Sequence, residues 1–232
     1  TDIYRNRQVV AERLSTLTQR LPQGIILNIT PLTSSASTVL GFGLTSEHRS
    51  LMDLRTTADW IVVPHIMAIK GVADVNVFGG DVRQLQIQVD PDKLVHYGIT
   101  LAEVRQAALM AAGVRGAGYI ENANQRIVIN TEMPNITAEK LGQATLKHVA
   151  GQPLRLADIG QVVEGPAPSI SAAAINGVSG VYLSVQGQLG ANTHAVTQDI
   201  EKALREIRSS LEAEGIHLHL GLFRPANFID TA

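Results

Sequence analysis

The chain has 232 residues, 45% of them hydrophobic and 17% charged, with a formal net charge of -2 and no cysteine. That balance suits a folded protein of one large or two small domains and excludes a disordered one. The near-neutral charge, with no run of Lys and Arg longer than a pair, argues against a nucleic-acid footprint; the lack of cysteine excludes disulfides, thiolate nucleophiles and cysteine-bound metal centres.

No apolar stretch approaches the roughly 20 residues that a membrane helix needs. The chain begins at Thr1 with no basic segment and no apolar leader. It therefore reads as a piece of a longer protein, soluble in isolation whatever its parent is embedded in.

In chain order, Asp2 to Leu21 predicts an amphipathic helix, because Ile3, Val10, Leu14, Leu17 and Leu21 recur at helical spacing before Pro22 and Gly24. Gln8, Glu12 and Ser15 form a polar stripe on another face of it. Thr30 to Thr38, rich in Ser and Thr, reads as a loop. A pattern then occurs twice. Ser37 to Thr45 predicts a strand, Leu51 to Ile69 a helix, and Val72 to Phe78 a strand after Gly71. Gly180 to Gly187, Asn192 to Ala213 and Ile216 to Leu222 repeat the order, with Gly215 as the stop. A parallel strand pair needs a crossover of this length. Two such units predict an α+β fold of ferredoxin-like, split β-α-β type.

Between the units lies an insertion, about Asp81 to Glu164. Gln84, Gln86 and Gln88 alternate with Leu85, Ile87 and Val89, as in a strand with one wet face. Asp92 to Tyr97 predicts a short helix ending at Gly98, and Thr100 with Glu103 forms a capping box for a helix reaching about Ala112. Gly116 and Gly118 lead into Tyr119 to Glu121, a turn at Asn122 to Asn124, and Arg126 to Asn130, a hairpin pattern. Thr137 to Val163 closes the insertion as a small α/β passage.

Catalytic signatures are missing: the sequence has no phosphate-cradling loop, no HExxH and no Gly-x-Ser-x-Gly elbow. Asp53, Asp59, Asp90, Asp92 and Asp158 sit near helix starts or loops, where capping or solvation explains them. His217 and His219, two apart on a strand, point to one side and form the one local pair with metal-ligand character. Two histidines on the wetter face of an edge strand remain the simpler reading, and no metal ligand is assigned. Met52, Met67, Met110 and Met133 are expected to fill gaps in the core, and Trp60 to pack in the core or between domains.

Taken together, several stretches resemble one family. Thr1-Asp2-Ile3-Tyr4 with Arg7-Gln8-Val9 and Glu12-Arg13-Leu14 resembles the pore helix of resistance–nodulation–division (RND) efflux pumps. Asp53-Leu54-Arg55, Asp59-Trp60-Ile61-Val62, Gly71 to Asn76 and Gly79-Gly80 are similar to their second N-terminal porter segment. Val89 to Leu94 with Tyr97-Gly98-Ile99-Thr100 resembles the entry to their docking segment. Leu156 to Ile159, Gly165-Pro166, Asn176-Gly177 and Gly190-Ala191-Asn192 continue the order. Tyr4, the Asp-Trp pair and the Gly-Gly pair resemble the heavy-metal branch more than the drug-exporting one. Near the end the chain departs from the pattern: Phe223-Arg224-Pro225-Ala226 replaces the usual Tyr-Asp-Arg-Ser, and the strand before it carries an extra residue.

The resemblance implies that residues 1–34 are the tail of a first porter subdomain, with Gln8, Glu12 and Ser15 toward a central pore. Residues 35–80 and 165–224 would form the second porter subdomain, 81–164 a docking subdomain, and 225–232 the start of a junction to a membrane helix. The hairpin carrying Gly116, Gly118, Tyr119, Asn122 and Asn124 would reach a neighbouring protomer. The expected function is the periplasmic part of a proton-driven, inner-membrane exporter of heavy-metal cations. It would work as a homotrimer with a periplasmic adaptor and an outer-membrane channel, without catalysis or a cofactor. A drug exporter, or a soluble periplasmic metal-binding or adaptor protein, are the alternatives. Which ion is carried is not legible in these residues.

Overall fold

The computed structural model describes residues 2–17, 21, 27, 29–30, 37–112, 119–121, 126–128, 136–149 and 151–227. Contacts divide the chain into two compact units, one formed by Thr1–Ser50, Thr57–Gly79 and Ala172–Ala232, the other by Leu51–Thr56 and Gly80–Ser171.

The first unit begins with helix α1 (Ile3–Leu17), none of whose residues is buried. Of its apolar stripe, Ile3, Val10 and Leu17 are exposed, while Leu14 is half-buried. Strand β1 (Thr38–Thr45) follows, and then one helical stretch made of α2 (Leu51–Thr57), a π-helical turn (Ala58–Val62) and α3 (Val63–Met67). Strand β2 (Val72–Gly79) comes next; after the insertion the unit resumes with β9 (Ala173–Ile175), β10 (Val178–Gly187), α8 (Thr193–Ala213) and β11 (His217–Phe223). The sheet has the order β11-β1-β10-β2, and every neighbouring pair is antiparallel. Strands β1 and β2 therefore run parallel on either side of β10, and β10 and β11 on either side of β1. This is the split β-α-β arrangement expected of the two repeated units, and both lie in one sheet.

Alternation along the strands decides which residues make the core. Leu40, Phe42 and Leu44 of β1 and Val181, Leu183 and Val185 of β10 are fully buried on one face. Against this sheet pack α8, on β1 and β11, and α3, on β2. Helix α8 starts where the Asn192 side chain accepts the Ala195 N–H at 3.1 Å, and it buries Val196, Ile200, Leu204 and Leu211 at helical spacing. The buried hydroxyl of Thr197 donates to the Val39 carbonyl at 3.1 Å and so is itself matched in the core.

On the crossover helix Ala58, Val62 and Ile66 are fully buried, four residues apart. Trp60 lies two residues from Ala58, on the far side of the helix, and is 79% exposed. Of the two roles expected of Trp60, in the core or between domains, the first is thus corrected: smaller side chains, Ala58, Val62 and Ile66, occupy the buried face. Met67 and Met110 are likewise exposed and do not fill gaps in the core.

The insertion contains β3 (Arg83–Val89), α4 (Pro91–Tyr97), α5 (Leu101–Ala111), β4 (Tyr119–Glu121), β5 (Arg126–Val128), α6 (Ala138–Gly142), β6 (Thr145–Val149), β7 (Gln152–Arg155), α7 (Leu156–Ile159) and β8 (Gly160–Pro166). Strand β3 pairs with β8, β4 with β5 and β6 with β7, all antiparallel. Its core joins Ile99, Val104, Leu141, Leu154, Leu156 and Ile159, and Leu85, Ile87 and Val89 pack on it from the dry side of β3. Asp90 caps α4 by accepting the Asp92 N–H at 3.0 Å, and Gly98 ends it in the left-handed region at φ 59. The Lys147 ammonium donates to the Tyr97 carbonyl at 2.7 Å, matching charge to the helix C-terminus.

The capping box of α5 is complete. Glu103 accepts the Thr100 N–H at 2.7 Å and the Thr100 hydroxyl at 2.8 Å. These bonds, the backbone one first, hold the Glu103 carboxyl below its ordinary value of 4.5. A depressed carboxylate stabilises the fold above its unfolded value, and this contribution is lost as pH falls through the lower folded one.

Candidate functional site: the open face of the sheet

The face of the sheet away from α3 and α8 carries Thr45, Gly43 and Gly41 of β1, Tyr182, Ser184 and Gln186 of β10, Phe78 and Asn76 of β2, and His217 and His219 of β11, by strand alternation and register. It grades from an aromatic end to a polar one. At the aromatic end, Phe78 and Tyr182 stand on paired positions with ring centroids 6.2 Å apart, tilted by 35°. An open hollow of about 720 Å³ lies beside them, lined chiefly by Phe78, Ala173, Ile175, Asn176, Tyr182 and Leu222. Partial burial raises the Tyr182 phenol above its ordinary value of 10.0, so it stays a neutral donor near pH 7.

Two glycines shape this end. A Cβ on Gly41 would collide with the Tyr182 hydroxyl, and one on Gly43 with the Ile175 side chain. The backbone of β1 thus forms the floor on which Tyr182 and Ile175 lie. Ile175 is delivered by a hairpin whose two turn residues, Asn176 at φ 52 and Gly177 at φ 83, both take the positive φ of a type I′ turn.

The polar end is a hydrogen-bonded net. Gln186 Oε1 accepts the Ser37 hydroxyl at 2.7 Å, while its Nε2 donates to the hydroxyls of Thr38 at 3.0 Å and Ser184 at 3.2 Å. At the β11 edge, His219 Nε2 lies 2.7 Å from the Thr45 hydroxyl, and His217 is exposed. Among the described residues no three His, Asp or Glu side chains converge as a metal-binding group.

The other sequence-predicted residues lie elsewhere. Gln8, Glu12 and Ser15 are exposed on α1, where Gln8 Nε2 donates to Glu12 Oε1 at 3.3 Å and the Ser15 hydroxyl to the Glu12 carbonyl at 2.7 Å. Of the hairpin residues, Tyr119 opens β4, while Gly116, Gly118, Asn122 and Asn124 lie outside the described residues. The open face itself escaped the sequence reading. Its signal was the pair Gly41 and Gly43, two apart inside a strand, where glycine marks close approach by another group.

The atypical junction has a local logic. Between the pairs Gly43–His219 and Gly41–Phe223, β1 advances two residues while β11 advances four. Gly221, at φ 71, takes up this bulge. Beyond it Arg224 Nε donates to Glu201 Oε1 of α8 at 2.7 Å, both side chains being 19% exposed, and Ala226 is fully buried. Arg224→Met leaves a half-buried carboxylate without this partner. Urea denaturation is expected to show a loss of about 2 kcal/mol, typical of a hydrogen bond to a charged group. A change within about 0.5 kcal/mol would mean that the pair carries no more than an exposed one.

The comparisons agree with this architecture. The model of the AcrB/AcrD/AcrF family matches residues 1–232. The cation efflux system protein CusA of Escherichia coli K12 is 30% identical over 224 residues, covering 94% of this chain and 21% of that protein. Protein HelA of Legionella pneumophila is 29% identical over 223 residues, covering 93% of this chain and 21% of that protein. The cobalt-zinc-cadmium resistance protein CzcA of Cupriavidus metallidurans is 26% identical over 227 residues, again covering 21% of its length. The crystal structure of a heavy metal efflux pump superposes with a TM-score of 0.77 at 22% identity, covering 99% of this chain and 23% of that one. The chain thus spans about a fifth of the relatives it matches.

Proposed function

Because the chain belongs to the AcrB/AcrD/AcrF family, matched from residue 1 to residue 232, we propose that it is a periplasmic part of a proton-driven, inner-membrane exporter of heavy-metal cations. The observation that carries the reading is this end-to-end match together with relatives named for cation efflux and for cobalt, zinc and cadmium resistance. The part is mechanical rather than catalytic. Each unit has its own core, so units can shift while their interiors stay packed. The parent acts as a homotrimer, with Gln8, Glu12 and Ser15 toward the shared axis and the β4–β5 hairpin toward a neighbouring protomer. A periplasmic adaptor and an outer-membrane channel complete the route. Among the described residues no helix is long and apolar enough to cross a membrane, which agrees with membrane segments lying in the rest of the parent.

One observation favours a second reading, the export of hydrophobic compounds: the hollow at Phe78, Ile175, Tyr182 and Leu222 is apolar and, among the described residues, holds no metal ligand set. Deleting the parent gene and measuring growth separates the two. The first reading expects sensitivity to at least one of zinc, cobalt, cadmium, nickel, copper or silver, with unchanged tolerance of hydrophobic dyes. Sensitivity to the dyes alone would replace it with the second.

A further inference from the structure

Leu51 to Thr56 opens the crossover helix of the sheet unit, yet its contacts group it with the insertion. One side chain bonds to both segments. Arg83, the first residue of β3, donates through Nη2 to Asp53 Oδ1 at 2.5 Å, through Nη1 to Glu164 of β8, and through Nε to the Thr56 hydroxyl at 3.4 Å. A planar guanidinium with several donors in a fixed fork can serve three partners at once, which an ammonium on a flexible stem does poorly. The backbone reinforces the tie: the Asp81 N–H donates to the Leu51 carbonyl at 3.2 Å.

Directly after Thr57 the helix changes character. Ala58–Val62 is a π-helical turn. Such a turn interrupts the regular bond ladder and is frequent at functional sites. We infer that Arg83 makes the first turn of the crossover helix a working part of the insertion, with the π-helical turn as the joint at which that helix passes to the sheet unit. This inference rests on the fold alone and holds whichever solute the parent carries.

Native-state amide exchange on the 232-residue chain, read residue by residue, tests it. In α2 the amides of Arg55 and Thr56 have their carbonyl partners, Leu51 and Met52, inside the helix, so they report on the first turn. Ile159→Val loosens the insertion core, where Ile159 is fully buried. It is expected to speed exchange about fivefold at Arg55 and Thr56 together with β3 and β8, while the amides of Ile200 and Leu204 in α8 keep their rates. In an Arg83→Met background the response of Arg55 and Thr56 to Ile159→Val disappears, and Arg83→Lys restores only part of it. Leu156→Ala serves as the stronger perturbation; should it unfold the insertion outright, Arg55 and Thr56 exchange as open chain while α8 stays protected. The inference is overturned if Arg55 and Thr56 ignore Ile159→Val, if they still follow it without Arg83, or if α8 responds equally.

Discussion

Truncating Phe42 to alanine is expected to lower the stability of the sheet unit by about 4 kcal/mol, within the range for a buried aromatic cut to a methyl. Phe42 is fully buried in β1, which pairs with β10 on one side and β11 on the other, and its Cα partner on β10 is Leu183, also fully buried. The void would open between two strands and the helical layer, where neither neighbour can collapse without breaking register. Urea unfolding followed by far-UV circular dichroism reads the effect. Trp60 is a poor reporter for it, since it is exposed in the folded state too. A loss under about 1.5 kcal/mol would show that the helices relax into the gap and that this core is softer than its burial suggests.

Gly79→Ala should be nearly as damaging, at about 3 kcal/mol, for a different reason: conformation and crowding act together there. Gly79 ends β2 at φ 73, a conformation that costs an L side chain roughly 1–2 kcal/mol. Its new Cβ would also stand 2.6 Å from the Gly180 carbonyl oxygen and 2.7 Å from the Ala173 nitrogen. Both are backbone atoms, so no rotamer change relieves the contact, and the added strain is that of an overpacked site. Gly98→Ala provides the control. Gly98 has φ 59, and no atom lies within 4 Å of the point where its methyl would stand, so it should cost only the conformational part, about 1 kcal/mol. Equal losses for the two variants, measured by the same urea titration, would refute the argument from crowding. Because Gly79 follows Phe78, the variant should also disturb the ring pair at the aromatic end of the open face.

Much of the fold was legible residue by residue. Repeated strand, helix, glycine and strand patterns predicted the split β-α-β arrangement that the sheet shows. The Thr100–Glu103 capping box and the Gly98 stop were both readable, because a cap is a contact between residues three or four apart. The candidate site was not. Gly41 and Gly43 matter through Tyr182 and Ile175, more than 130 positions later in the chain, and no local spacing announces such a partner. Arg83 is similar: its carboxylates, Asp53 and Glu164, sit 30 and 81 residues away.

By itself, then, the order of residues determined the strand, helix and strand order of each repeated unit, the alternation of wet and dry positions along β3, and that the two units share one fold, but not β9 or the π-helical turn. These follow from short-range sterics, capping and periodicity, which act within a few residues of the chain. Tertiary structure alone decided which helix face meets the sheet, leaving Trp60 outside, and which glycines must stay bare. It also decided that Leu51–Thr56 belongs with the insertion. Those outcomes depend on what another segment brings to within a few ångströms, and pairing of distant segments is set by packing and charge rather than by any local preference.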